Sequence, residues 1–132
     1  LTSYYEGNNY LLSEADLDVT ASQNIRDLPA EALYELTYKA RVIASKMTAG
    51  DLGYTLFTSQ TNTNSLVLYQ YLTDADSLVN THYHNFDHRV AVSDVIQTAD
   101  EGIAILGEIY ILGKYQRPFL LKMPVDPFLP ED

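Results

Sequence analysis

Two runs rich in β-branched and aromatic residues, separated by a short polar loop, constrain the fold of this chain most. The runs are residues 54–59 and 65–72, and residues 60–64 form the loop between them. This pattern predicts a β-hairpin. Alternate residues of a strand point to opposite faces of the sheet, and here both faces would carry large side chains. We therefore expect a sheet that is covered on both sides.

The same alternation predicts which side chains of the hairpin share a face. One face is expected to carry Tyr54, Leu56, Leu66, Leu68 and Leu72. The other is expected to carry Thr55, Phe57, Val67, Tyr69 and Tyr71. Tyrosine combines a large apolar ring with a polar tip, which suits a pocket wall or a protein interface.

An amphipathic helix is predicted on each side of the hairpin. The first would span residues 29–48, because Pro29 fits a first helical turn. Its apolar residues recur at spacings of three and four, namely Leu33, Leu36, Ala40, Ile43 and Met47. The second would span residues 74–100, with Asp74 and Asp76 capping its start. A kink or a break into two helical segments is expected near residues 88–93, where the apolar stripe changes position.

Two further strands complete the predicted order. Residues 15–22 alternate between apolar and polar, which indicates a half-buried strand. Residues 103–112 are apolar and β-branched, with Gly107 at a bulge or a close backbone approach. The order strand, helix, strand, strand, helix, strand predicts an α+β fold over residues 15–112. This is the ferredoxin-like split β-α-β arrangement with a four-stranded antiparallel sheet.

The two ends of the chain are expected to lie outside this domain. Residues 1–14 are rich in Asn, Tyr and Gly and are predicted to form an irregular arm. Residues 113–132 contain four prolines and are predicted to form an extended tail with a short turn of helix. The tail has too many apolar residues for a loose end, so it should dock on the body or on a second subunit.

Composition excludes several classes of partner. The formal net charge of −10 opposes binding to nucleic acid and to anionic membranes. The chain shows no signal peptide and no apolar run long enough to span a membrane, so a cytoplasmic location is expected. The absence of cysteine excludes thiolate metal sites.

The three histidines lie close together, and they mark the expected functional site. His82, His84 and His88 fall in a short stretch of a chain with few other groups that titrate near neutral pH. No metal or other cofactor is expected. The alternative is a zinc or non-haem iron site formed by His84, Asp87 and His88, which would share one face of a helix.

Two segments carry a resemblance to a known family. Residues 48–54 read Thr-Ala-Gly-Asp-Leu-Gly-Tyr, and residues 72–82 combine acidic residues with a final His82. Residues 28–112 thereby resemble the antibiotic biosynthesis monooxygenase-like domains of the dimeric α/β-barrel group. The first segment is similar to the family's turn into its second strand. The second is similar to its acidic helix start followed by a histidine.

The resemblance implies a small cofactor-independent monooxygenase that acts on or binds an aromatic, quinol-like molecule. His82 would act as base or proton shuttle and Tyr69 would orient the substrate. The pocket would be lined by Tyr54, Phe57, Tyr71 and Phe86. The alternative is a non-catalytic dimeric protein of the same fold that binds a ligand or has a structural role. The lack of tryptophan, which several active relatives use, favours that alternative.

A homodimer is the last expectation. Two helices of one chain can cover only one face of the sheet. The other face would expose a contiguous patch formed by Phe57, Val67, Tyr69 and Tyr71, which monomers rarely tolerate. A second copy related by two-fold symmetry would cover it with the same surface.

Overall fold

A computed structural model of the protein describes residues 2–6, 9–13, 30–37, 40–73, 78–111 and 115–129. These residues form ten β-strands and one 3₁₀ helix, Asp126–Phe128, and contain no α-helix. The strands are β1 (Thr2–Glu6), β2 (Asn9–Ser13), β3 (Ala30–Leu33), β4 (Ile43–Ala49), β5 (Leu52–Gln60), β6 (Ser65–Leu72), β7 (Leu78–Asn85), β8 (Arg89–Gln97), β9 (Ile103–Tyr110) and β10 (Arg117–Met123).

The strands are arranged in three antiparallel sheets in which neighbours in sequence are neighbours in space. The N-terminal sheet has the order β1-β2-β3 and the central sheet the order β4-β5-β6-β7. The C-terminal sheet has the order β10-β9-β8. Each pair joins strands that are consecutive among those described, and the central sheet lies between the other two.

The central sheet is covered on both faces. Its front face packs against the C-terminal sheet and carries Tyr54, Leu56, Leu66 and Leu68. Its back face packs against the N-terminal sheet and the turn after it, and carries Phe57, Val67, Tyr69 and Tyr71. All eight of these side chains are 5% exposed or less, so two hydrophobic cores meet at one pair of strands.

The predicted hairpin is confirmed. β5 and β6 pair from Tyr54 opposite Leu72 to Gln60 opposite Leu66. The assignment of the large side chains to the two faces is also correct. The expectation that the sheet is covered on both sides is confirmed, but the covering elements are strands and not helices.

The predicted α+β, ferredoxin-like fold is wrong, because the described residues form only strands and one 3₁₀ helix. The first predicted helix overlaps β3, a turn and β4. Its apolar stripe is divided between the two cores, since Leu33 and Leu36 pack on the back face and Met47 packs on the front face. A spacing that is typical of one helix face therefore arose from two separate strands.

The second predicted helix is also wrong, because its residues form the hairpin β7–β8. The buried residues Val90, Val92 and Val95 point into the front core. A β-bulge between Val92 and Asp94 increases the spacing between successive inward-facing residues of β8 from two positions to three. The apolar residues on either side of the bulge are therefore three positions apart, as they would be on one face of a helix. The β-branched residues of this segment favour a strand.

The ends of the chain contribute regular structure. The segment predicted as an irregular arm contains β1 and β2, whereas the predicted strand at residues 15–22 lies outside the described residues. The segment predicted as a tail docks on the body, as expected, and contributes β10 to the C-terminal sheet. The C-terminal segment after β10, residues 124–129, includes a short turn of helix. Phe128 from this segment is 0% exposed and belongs to the front core.

The N-terminal strands change the argument for a homodimer. The patch of Phe57, Val67, Tyr69 and Tyr71 was expected to need a second copy as its cover. In the structure the chain itself covers this patch, with Tyr10 and Leu12 from β2 and Leu33 from β3. The back face is therefore not a free surface through which two copies could pair.

Gly107 lies at a close backbone approach, as predicted. It sits opposite Val92, beside the bulge in β8. A Cβ atom at this position would overlap the carbonyl oxygen of Ala91 and would lie 2.6 Å from the ring of Phe119. Only glycine leaves room for these two groups.

We expect Gly107→Ala to lower the free energy of unfolding by about 1–3 kcal/mol, the usual range for overpacking. Gly53→Ala is the matched control, since a Cβ there would meet nothing closer than Thr73 Oγ1 at 3.8 Å. Urea unfolding of both variants measures the difference. Equal stability of the two variants would contradict the packing of β8, β9 and β10.

Candidate functional site

The C-terminal segment places an aromatic ring between two side chains of the front face. The ring of Phe128 stacks on Tyr54, with centroids 5.9 Å apart and planes inclined by 5°. Its other neighbour is His82 on β7, whose ring centroid lies 4.5 Å away. Phe128 thus joins residues that are far apart in the sequence into one aromatic cluster.

A buried glutamine fixes this cluster in place. Gln70 is 2% exposed, and its Nε2 donates to the backbone oxygen of Phe128 at 2.8 Å. Its Oε1 lies 3.1 Å from His82 Nε2. Because an amide oxygen can only accept, His82 Nε2 carries the proton. The Gln70 side chain therefore connects β7 to the C-terminal segment through two hydrogen bonds.

Burial affects the titration of both ring residues beside Phe128. Burial lowers the pKa of His82, so the imidazole is held in its neutral form. Burial and the nearby Glu101 carboxylate raise the pKa of Tyr54 to about 12. The Tyr54 hydroxyl is buried without a hydrogen-bond partner among the described groups. Tyr54 is thus a protonated phenol at neutral pH.

A cleft opens beside this cluster at the end of the central sheet. Its volume is about 600 Å³, within the usual range for small-molecule sites. The cleft is lined by Leu52, Gln70, Leu72, Val79, Asn80, Pro127 and Leu129. Five of these residues are apolar and two are carboxamides, and none carries a charge. The cleft is therefore suited to an uncharged molecule with at least one polar group.

A second polar cluster lies on the back face. The hydroxyls of Tyr69 and Tyr83 both donate to the carboxylate of Glu35, Tyr83 at 2.9 and 3.0 Å. Burial, followed by the hydrogen bond to Glu35, raises the pKa of each tyrosine. Both phenols are therefore protonated donors. They tie β6 and β7 to the turn after β3.

The structure divides the predicted site residues between the two faces of the central sheet. His82 and Tyr54 are on the front face, and Phe128 lies between them. Tyr69, Phe57 and Tyr71 are on the back face, where Phe57 and Tyr71 meet edge to face at 5.6 Å. The predicted pair of His82 and Tyr69 is therefore not brought together.

The last predicted lining residue, Phe86, lies outside the cleft. Its ring packs 5.1 Å from Phe119 and 5.0 Å from His84, at the opposite end of β7 from Val79. Phe86 therefore closes the edge of the front core next to the β7–β8 turn.

The alternative metal site required His84, Asp87 and His88 on one face of a helix, and the structure does not have that arrangement. His84 lies in β7, whereas Asp87 and His88 lie in the turn that leads to β8. They do not share a helix face, because this segment is not helical. In the described part of the chain, no group of three histidine, aspartate or glutamate side chains is placed to hold a metal ion.

Sequence reasoning missed three residues of the cleft and its surroundings. Gln70 had a usable signal, since it is a lone carboxamide in an apolar strand. Asn80 lies two positions before His82, in the segment that was predicted to begin a helix at Asp74. Phe128 had only the general signal of an apolar tail, because its contact with Gln70 spans 58 positions.

Comparisons of the chain with protein-family models, with curated proteins and with solved structures found no match. The resemblance to antibiotic biosynthesis monooxygenase-like domains is wrong, because the described residues form three β-sheets and lack the helices of a dimeric α/β barrel. The residues compared with the family's acidic helix start lead into β7. None of the described residues form a helix long and apolar enough to cross a membrane.

The lowered pKa of His82 predicts a loss of stability in acid. Its reference pKa is 6.5, and the folded state binds a proton only at lower pH. Between these two pH values the unfolded state binds more protons, so the free energy of unfolding should fall as the pH drops below about 6.5. Urea unfolding between neutral and mildly acidic pH measures this slope.

His82→Gln should make the slope shallower, because glutamine can donate to Gln70 without titrating. His88→Gln is the control, since His88 is exposed in the β7–β8 turn. If His82→Gln and His88→Gln give the same slope, the burial of His82 against Phe128 is contradicted.

Proposed function

We propose that this chain is a non-catalytic binding domain that takes up a small uncharged molecule in the cleft beside Phe128. One observation carries the proposal: the cleft combines apolar walls with two carboxamides, Gln70 and Asn80. Small-molecule sites are typically concave and apolar, with a few polar groups that orient the ligand. An aromatic, quinol-like molecule has the matching combination of a flat apolar ring and a hydroxyl.

The two carboxamides supply hydrogen-bond donors with restricted orientation. Gln70 is held by His82 and by the backbone oxygen of Phe128, and its Nε2 has a second hydrogen. Asn80 Oδ1 accepts from the backbone N–H of Thr81 at 2.9 Å, which directs the asparagine amide group. Both amide nitrogens can donate to a hydroxyl or carbonyl oxygen of a ligand. The net charge of −10 disfavours anionic ligands and nucleic acid.

Binding is better supported than oxygenase chemistry. The oxygenase activity stays a prediction that no observation tests, and the resemblance that suggested it is wrong. His82 is not part of the cleft lining and reaches it only through Gln70. Tyr69, the proposed orienting group, lies on the other face of the central sheet. A cytoplasmic location and a second copy as partner also stay predictions.

Titration with 2-naphthol, a flat ring with one hydroxyl, tests the proposal directly. In two-dimensional NMR spectra we expect the largest shifts at the backbone amides of β7 and of residues 128 and 129. The affinity should correspond to weak, millimolar to micromolar binding, since the probe is small and nonspecific. The absence of shifts at millimolar concentrations of the probe, or shifts centred on the back face, would contradict the proposal.

Two pairs of variants separate the cleft from general effects. Val79→Trp should weaken binding by about tenfold or more, equivalent to about 1.4 kcal/mol, because the larger side chain fills the cleft. Ile96→Trp is its control, since Ile96 is an exposed aliphatic residue on the C-terminal sheet. Asn80→Ala should also weaken binding, whereas Asn62→Ala in the exposed β5–β6 loop should not.

A further inference from the structure

The edge strand β7 of the central sheet lacks the residues that usually protect a strand edge from pairing. β7 follows β6 in the order β4-β5-β6-β7, so among the described strands it has one paired side and one free side. Its side chains are largely exposed, with 44% for Leu78, 44% for Val79 and 54% for Tyr83. A free strand edge presents backbone N–H and C=O groups that can pair with another strand.

The other edge strands of the central and C-terminal sheets carry features that oppose such pairing. Charged residues and proline on an edge strand prevent edge-to-edge association. These features are Lys46 in β4, Arg89 and Asp94 in β8, and Arg117, Pro118 and Lys122 in β10. β7, with the sequence Leu-Val-Asn-Thr-His-Tyr-His-Asn, contains no aspartate, glutamate, lysine, arginine or proline.

The charge of the chain favours this strand as the point where two copies meet. Each copy has a formal net charge of −10, so most approaches of one copy to another are repulsive. β7 is the exception among these edges, because the strand itself contains no Asp, Glu, Lys or Arg. It also offers no charge that an acidic or basic peptide could complement, so a second β7 is the better match.

A bulge sets the register in which β7 can pair with itself. The pairing with β6 shifts between Gln70 and Tyr71, so that Asn80 lies opposite Gln70 and Leu78 lies opposite Tyr71. Val79 is the extra residue of this bulge. Regular alternation therefore runs from Asn80 to Asn85, and His82 is one of the two residues at its middle.

We propose that β7 pairs antiparallel with β7 of a second copy about a two-fold axis at His82, which joins the two central sheets into one. Thr81 of each copy then lies opposite Tyr83 of the other, on the back face where both residues pair with β6. Pairs of aromatic and β-branched residues stabilise antiparallel strands. Asn80 lies opposite His84 on the front face. In this pairing the backbone N–H of Thr81 exchanges the side-chain oxygen of Asn80 for the partner strand. The contact goes beyond the proposed ligand binding, and it forms without a ligand.

Sedimentation velocity of the full chain over the micromolar range tests the pairing. We expect a monomer–dimer equilibrium that strengthens when salt is raised from about 0.01 M to 1 M, because screening reduces repulsion between the two chains. Thr81→Lys should weaken the dimer about tenfold or more, since it places a lysine on the pairing edge. Ala44→Lys on the charged edge strand β4 is the control and should leave the dimer unchanged.

Filtered NMR experiments on a mixture of labelled and unlabelled chain provide a second readout that needs no variant. Contacts between copies should appear at residues 80–84, with Thr81 close to Tyr83 of the other copy. A chain that stays monomeric at high micromolar concentration in moderate salt overturns the proposal. A dimer lost in Leu120→Glu but retained in Thr81→Lys would also overturn it, because the interface would then be the outer face of the C-terminal sheet.

Discussion

Burial of the β5–β6 hairpin on both faces is the interaction on which the rest of the structure depends. Each strand contributes alternate side chains to two different hydrophobic cores, so each core is anchored on the same two backbones. Fully burying one large apolar side chain stabilises a fold by about 1.5–3 kcal/mol. Both flanking sheets are small, with three strands each, and each needs this central surface to bury its apolar face.

The candidate site is a consequence of how the front core ends. Beside β7, the C-terminal segment adds Phe128 to this core and packs its ring against His82. Gln70 holds Phe128 through its backbone oxygen and leaves a cleft between β7 and residues 127–129. The cleft adjoins the edge strand β7, because Val79 and Asn80 of this strand line it. No described strand pairs with β7 on its outer side.

Patterns confined to one hairpin could be predicted from the sequence, and patterns that depend on distant contacts could not. The alternation in residues 54–72 predicted the hairpin β5–β6 and the side chains on both of its faces, and Gly107 was predicted at a bulge or a close backbone approach. The helices were predicted wrongly because spacings of three and four arose from a turn after Leu33 and from the bulge after Val92. His82 was singled out from its residue type, whereas the place of Phe128 became visible only when its contact with Gln70 across 58 positions was known.

Amide hydrogen exchange followed by NMR tests the doubly covered central hairpin most directly. Strands buried on both faces open only when both cores separate, so their exchange should report global unfolding. We expect the amides of β5 and β6 to be the slowest in the chain, with β4 and β7 exchanging faster at the edges of the same sheet. Exchange in β5 and β6 as fast as in β7, or helical NOE patterns in residues 78–97, would contradict this account of the fold.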